Sequence, residues 1–191
     1  MQKFLPFFVQ ATQRMVENYG ADNKVNYYNI ALGGSSTFWG KDNVKPRIDL
    51  LLDYYNSKGT PLTDFCPDII YIKYFANDAS NTAEDYYSNM KSILEQFKKL
   101  YPTAAVILVS GKLNNEKSVC FKNRELNMEH EKALEKLAED NSNCIVAKVT
   151  SCFVQIVKSK NFEDYLSNNI NHANDFWATV VAQVIAASAE I

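Results

Sequence analysis

Apolar and polar positions repeat along this chain with two different periods, and each change of period marks an element. Phe4, Phe8, Ala11 and Met15 fall on one face at helical spacing, which predicts an amphipathic helix from Phe4 to Tyr19 that stops at Gly20. The segment Lys24 to Leu32 is rich in Val, Tyr and Ile and runs into Gly33-Gly34-Ser35-Ser36, the pattern of a buried strand ending in a tight loop. Ile48, Leu51, Leu52 and Tyr55 return to helical spacing, with Pro46 near the first turn and Gly59 beyond the last. Asp68 to Phe75 is short, β-branched and aromatic, as a strand of a parallel sheet should be, and it ends at Ala76-Asn77-Asp78.

The clearest helical stripe is Tyr86, Met90, Ile93, Leu94, Phe97 and Leu100, which predicts a helix from about Thr82 to Tyr101. Asn81 and Glu84 are spaced as a capping-box-like start, and Pro102 closes the helix. Ala104 to Val109 reads as a continuous apolar strand ending at Ser110-Gly111. Arg124 to Asp140 reads as a charged helix carrying Leu126, Ala133, Leu134 and Leu137 inward, and Cys144 to Val149 as the fourth strand. A last helix, Asp175 to Ala189, follows the capping residue Asn174 and should bury Trp177, Val180, Val181 and Val184.

Short apolar strands alternating with amphipathic helices imply crossover connections and a parallel sheet covered on both faces, an α/β fold in three layers. At roughly 100 to 200 residues per domain, 191 residues predict one domain over 1–191, with no repeat, low-complexity tract or linker to divide it. In such sheets ligands bind beyond the carboxyl ends of the strands. Gly33 to Thr37, Ala76 to Asp78 and Ser110 to Lys112 occupy those ends.

Composition narrows the possibilities further. Twenty Lys and Arg against 22 Asp and Glu leave a net charge of −2, without the basic excess that a nucleic-acid partner demands. The longest apolar run, Trp177 to Ala187, is broken by Thr179 and Gln183 and falls short of the roughly 20 residues that span a bilayer, so no membrane span is expected. The start of the chain looks superficially like a signal peptide, but Pro6 interrupts its apolar stretch and Gln10 follows closely. Cytoplasmic and secreted locations are not distinguished. Cys66, Cys120, Cys144 and Cys152 form no C-x-x-C pair, and two histidines are too few for a zinc-type cluster, so no metal is expected and the cysteines read as structural thiols.

Three segments carry the candidate chemistry: Asn29-Ile-Ala-Leu-Gly33-Gly34-Ser35-Ser36-Thr37, Phe75-Ala76-Asn77-Asp78, and Asn168-Asn169-Ile170-Asn171-His172-Ala173-Asn174-Asp175. In that order and spacing they resemble the SGNH (GDSL-type) hydrolase family, and the resemblance extends over nearly the whole chain. It implies a flavodoxin-like α/β/α sandwich and a serine hydrolase of carboxylic esters, of acetyl or carbohydrate type, working without metal or organic cofactor. By this resemblance the Gly34 backbone N–H and the Asn77 amide form an oxyanion hole, and His172 is the general base. The chemistry is coherent, because acyl transfer needs preorganised donors where negative charge develops and an imidazole to carry the proton near neutral pH.

The departures from the family pattern matter as much. The Gly-Asp-Ser block, whose serine is the family's nucleophile, is absent, and the chain starts with the helix that would follow it. Asn169 stands where the family has aspartate three residues before the histidine, and an amide cannot stabilise an imidazolium by charge. Phe75 stands where the third block has glycine. Either the nucleophile strand lies upstream, or the chain is a catalytically inactive SGNH-like binding or scaffold domain. A third reading makes Gly33 to Thr37 a degenerate first block with Ser35 as nucleophile. The expected partner is a small-molecule or carbohydrate ester. A second copy of the chain or an upstream segment would cover the strand edges that a missing central strand exposes.

Other residues have simpler readings. His130 lies on the Leu126, Leu134 and Leu137 side of its helix, as a boundary histidine satisfied by a neighbour. Asp78 reads as a structural acceptor that holds its loop. Gly33 and Gly34 match no phosphate-binding glycine pattern. Phe38 and Trp39 suit either a sugar or acyl platform or core packing.

Overall fold

The computed structural model describes residues 26–115, 124–168 and 170–189. The helix predicted from Phe4 to Tyr19, Cys120 and Asn169 lie outside them. Three apolar runs form strands β1 (Ile69–Ile72), β2 (Ala105–Val109) and β3 (Cys144–Ala147). They pair in parallel in the order β1-β2-β3, with Ile69 opposite Ala105 and Val106 opposite Cys144. The helices are α1 (Thr37–Gly40), α2 (Val44–Ser57), α3 (Ala83–Leu100), α4 (Arg124–Glu139), α5 (Val149–Ile156) and α6 (Asp175–Ser188). Single 3₁₀ turns occupy Ala76–Asp78 and Phe162–Asp164.

Because successive strand residues point to opposite faces, β2 and β3 feed two cores, while β1 feeds one and leaves Ile69 and Tyr71 exposed. Ile70, Ile72, Val106, Leu108 and Cys144 join one core with Val44 and Ile48 of α2, the stripe of α3, and Leu134 and Leu137 of α4. Ile107, Val109 and Ala147 join the other with Val149 and Phe153 of α5 and Val181 and Ile185 of α6. Met90, Ile93 and Leu94 are wholly buried, and each side chain of this size contributes about 1.5–3 kcal/mol by leaving water. The result is the expected α/β/α sandwich.

Helix α3 forms where its stripe predicts it, but its cap is different. Thr82, not Asn81, is the N-cap: its Oγ accepts from the Asp85 N–H (3.1 Å) and donates to the Asp85 carboxylate (2.7 Å). Asn81 is drawn instead into the loop before it. Glu84 and Asp85 in the first turn and Lys98 and Lys99 in the last complement the helix dipole. In α6, Asn174 caps as expected, accepting from the Trp177 N–H (3.1 Å). Val181, Ala182 and Ile185 are its buried residues, while Trp177, Val180 and Val184 are half-buried.

Three strand expectations need correction, the first being Asp68 to Phe75, of which only Ile69–Ile72 forms a strand. Residues 26–32, the described part of the segment Lys24 to Leu32, are not a strand. A strand needs a neighbour for its backbone groups, and no described strand lies against this one. Its carbonyls turn to a side chain: Arg47 Nε donates to Ile30 O (2.8 Å) and Arg47 Nη2 to Ala31 O (3.3 Å). The run Cys144 to Val149 is also shorter than expected, since β3 ends at Ala147 and Val149 already opens α5.

Candidate functional site

The glycine-serine loop is a tight turn. Gly34 has φ +84°, a left-handed conformation that suits glycine, and the Ser35 N–H returns to Leu32 O (3.3 Å). Ser35 Oγ donates to Leu32 O (2.8 Å), and Ser36 Oγ accepts from the Trp39 N–H as the cap of α1. Both hydroxyls therefore take part in shaping the loop.

Across from this loop stands the turn after β1. Asn77 Nδ2 donates to Ser35 O (2.9 Å), joining the first and second of the three segments that the sequence singles out. Beneath this bond, Asp78 is fully buried and its Oδ1 accepts from Thr37 N (2.9 Å), Thr37 Oγ1 (2.5 Å) and Asn81 Nδ2 (2.7 Å). Asn89 Nδ2 adds a bond to Thr37 Oγ1 (3.3 Å). Asp78 is thus the acceptor that clamps two distant stretches of chain together.

His172 lies in a loop built around one side chain. Asn168 Oδ1 accepts from the backbone N–H groups of Ile170 (3.0 Å), Asn171 (2.9 Å) and His172 (2.8 Å), and Ser167 N donates to His172 O (2.9 Å). The backbone at His172 is held, and its side chain is exposed. No hydrogen bond among the described residues links its ring to Asn77 or to the glycine-serine loop. The structure therefore brings Gly34, Ser35 and Asn77 together and sets His172 in a separate loop before α6.

The segment after β2 has a structural task that its sequence does not reveal. Ser110 Oγ donates to Glu131 Oε2 (2.6 Å) and accepts from Thr150 N (3.0 Å), while Thr150 Oγ1 donates to Gly111 O (2.6 Å). The Ser151 N–H and hydroxyl both donate to the Glu131 carboxylate. The start of α5 is held by Ser110 and by Glu131 of α4. Phe75, standing where a glycine was expected, packs its ring against Gly111 so closely that a Cβ there would enter the ring. Phe38 is 65% exposed beside Lys41, whose ammonium lies 4.7 Å from its ring centre, and Trp39 is half-buried.

His130 is buried, stacked on Tyr86 at 4.1 Å between ring centres, with Nε2 3.2 Å from Asn81 O. Its Nε2 has the neighbour that its helix face suggests, while its buried Nδ1 has no partner among the described residues. Burial pulls its pKa below 6.5, against the opposing pulls of the Asn81 carbonyl and of the Asp78 and Glu129 charges. Below 6.5 the unfolded chain then binds more protons than the folded one, so folding stability should fall as pH drops through and below 6.5. Denaturation midpoints measured from pH 7.5 to 5 should show this decline, and His130→Gln should flatten it. Burial also raises the thiol of Cys144 to about 11 and that of Cys152, keeping both in the unreactive thiol form.

Neither a protein-family model nor a curated protein sequence matches the chain. Solved structures do. An alpha/beta hydrolase enzyme from the metagenome of Lake Arreo, Spain, is similar with a TM-score of 0.69 at 14% identity, over 94% of this chain and 79% of that one. An acetyl xylan esterase from Geobacillus stearothermophilus gives a TM-score of 0.67 at 13% identity, over 94% and 79%. The C-terminal catalytic domain of the Streptococcus pneumoniae peptidoglycan O-acetyltransferase A gives 0.53 at 16%, over 96% and 88%. At these identities the likeness is one of fold. No described helix is long and apolar enough to cross a membrane.

Proposed function

We propose that this chain, whose α/β fold is of the SGNH esterase type, is one catalytic domain that hydrolyses carboxylic esters, with acetylated carbohydrates as the substrate class. The observation that carries the reading is the Asn77 Nδ2 to Ser35 O hydrogen bond of 2.9 Å, which holds a neutral amide against the turn containing the Gly34 peptide. Two neutral donors, one in the glycine-serine turn and one in the turn after β1, suit a developing oxyanion, and each such donor is typically worth about 10²–10³ in turnover. A serine hydroxyl attacks the ester carbonyl and its proton passes to His172. The oxyanion rests on Gly34 N–H and Asn77 Nδ2, and the alcohol departs with the proton returned by His172. Water then releases the acyl group by the same route. The acetyl xylan esterase among the similar structures supports the choice of substrate.

Ser35 and Ser36 are engaged within their own loop, which favours a nucleophile outside it, on the strand that carries Gly-Asp-Ser in the family this chain resembles. Such a strand beside residues 26–32 would also give them a backbone partner, which no strand among the described residues supplies. Asn169 in place of aspartate would give the imidazolium formed on His172 no opposing charge. A binding or scaffold role is favoured by one observation, the Phe75 ring packed on Gly111 where the family has glycine.

Labelling the protein purified from its own cells with a serine-directed fluorophosphonate, followed by peptide mapping, tests the reading. The expected label sits on a serine ahead of Asn29, a stretch with no serine in these 191 residues, and disappears in His172→Ala. A label on Ser35 or Ser36 moves the nucleophile into the loop. A protein that takes up no label is a binding domain.

A further inference from the structure

Lys73 follows β1, Lys112 follows β2, and Trp177 lies in the first turn of α6, so the carboxyl ends of two strands and one helix meet at a single indole. The Lys73 ammonium lies 4.3 Å from the Trp177 ring centre, and that of Lys112 lies 5.9 Å from it and 5.9 Å from the Phe75 ring. Lys112 is 6% exposed, and its ammonium donates to Asn114 Oδ1 (2.6 Å). The Trp177 Nε1–H is buried and has no acceptor among the described residues. Neither ammonium is ion-paired with a carboxylate among the described residues.

We propose that Lys73, Lys112 and Trp177 form a binding site for an oxyanion, a carboxylate or phosphate group carried by a ligand. A lysine that only packs its stem on an aromatic ring keeps its ammonium in water, which Lys112 does not. A buried ammonium without a counter-charge is costly, and a second cation beside it raises the cost. Burial and then the neighbouring Lys73 bring Lys112 down to about 7, and burial brings Lys73 down to about 8. Lys73 has protein around it yet keeps an exposed side chain, so solvent screening offsets part of its fall, and Lys112 is the more strongly held of the two. An oxyanion between the two ammoniums removes both penalties, and the unused indole N–H supplies a further donor. The site stands independently of ester cleavage.

The test follows the indole N–H signal of Trp177 by nitrogen-15 NMR. Trp39 is the only other indole in the chain, and Trp177→Phe assigns the signal. Sodium phosphate and sodium acetate are titrated separately against sodium chloride at matched ionic strength. A saturable shift of the Trp177 signal, with Trp39 unmoved, is expected with at least one of the two, and the one that binds more tightly identifies the group. Lys73→Gln should weaken that binding by about 10-fold or more, the worth of one charge-assisted bond. Lys112→Gln should do the same if its melting curve shows that it folds, and Lys73→Gln, being an exposed change, decides the matter if it does not. A response equal to that of chloride, a shift that never saturates, or undiminished binding in Lys73→Gln overturns the proposal.

Discussion

Replacing Glu131 with alanine should lower the folding stability by about 3 kcal/mol or more, because it strands several buried donors at once. Glu131 is 2% exposed and receives the hydroxyls of Ser110 and Ser151 together with the Ser151 N–H. Ser110, once released, keeps only Ala147 O (3.2 Å) as an acceptor for its hydroxyl, so its hold on Thr150 N at the start of α5 weakens as well. For a protein of this size a loss of about 3 kcal/mol lowers Tm by roughly 6–12 °C. Urea titration and thermal melting of Glu131→Ala and Glu131→Gln check the point. The glutamine variant keeps one acceptor oxygen but turns an amide N–H toward the Ser151 N–H, so it should fall between wild type and alanine.

Asp78→Ala is expected to cost about 2–4 kcal/mol and to loosen the candidate site as well. The Asp78 carboxylate is fully buried, and its Oδ1 takes three donors, two from Thr37 at the end of the glycine-serine loop and one from Asn81. Without it the loop is tied to the turn after β1 chiefly by Asn77. Hydrogen exchange at the Ser35 to Thr37 amides should accelerate in Asp78→Ala beyond the change in global stability. A variant that loses stability while those amides keep their protection would show that the clamp is not what holds the loop. Asp78→Asn keeps Oδ1 as an acceptor and should lose less on both measures.

The elements legible in the sequence are those whose stabilising partners lie within their own pattern. The stripe from Tyr86 to Phe97 needs only an apolar face, and β2 needs only a run of buried residues, so both are found where they are expected. Elements whose partners lie elsewhere in the chain are not legible. The segment ending at Leu32 has the composition of a strand, yet strand formation depends on a neighbour, and Arg47 takes its carbonyls instead. Helix α5 is hidden because its start is held by Ser110 and Glu131 and carries no capping residue of its own. Asn81 is spaced as a cap, but the buried Asp78 competes for its amide and wins. At the site, the approach of Asn77 to the glycine-serine loop follows from the family pattern. The two lysines on Trp177 follow from no pattern, since their only signal is a lysine just past each of two apolar strands.

The strand order β1-β2-β3 follows the order in which the strands are made. Each pairing among the described strands joins a strand to the one synthesised just before it, with a helix already emerged between them, so these three strands can pair in turn as the chain leaves the ribosome. Parallel pairing closes long loops and is intrinsically slow, which makes an early-formed edge vulnerable to sticking. In a sequential order only the β3 edge has to wait for a later strand, while the outer edge of β1 has no strand against it among the described residues.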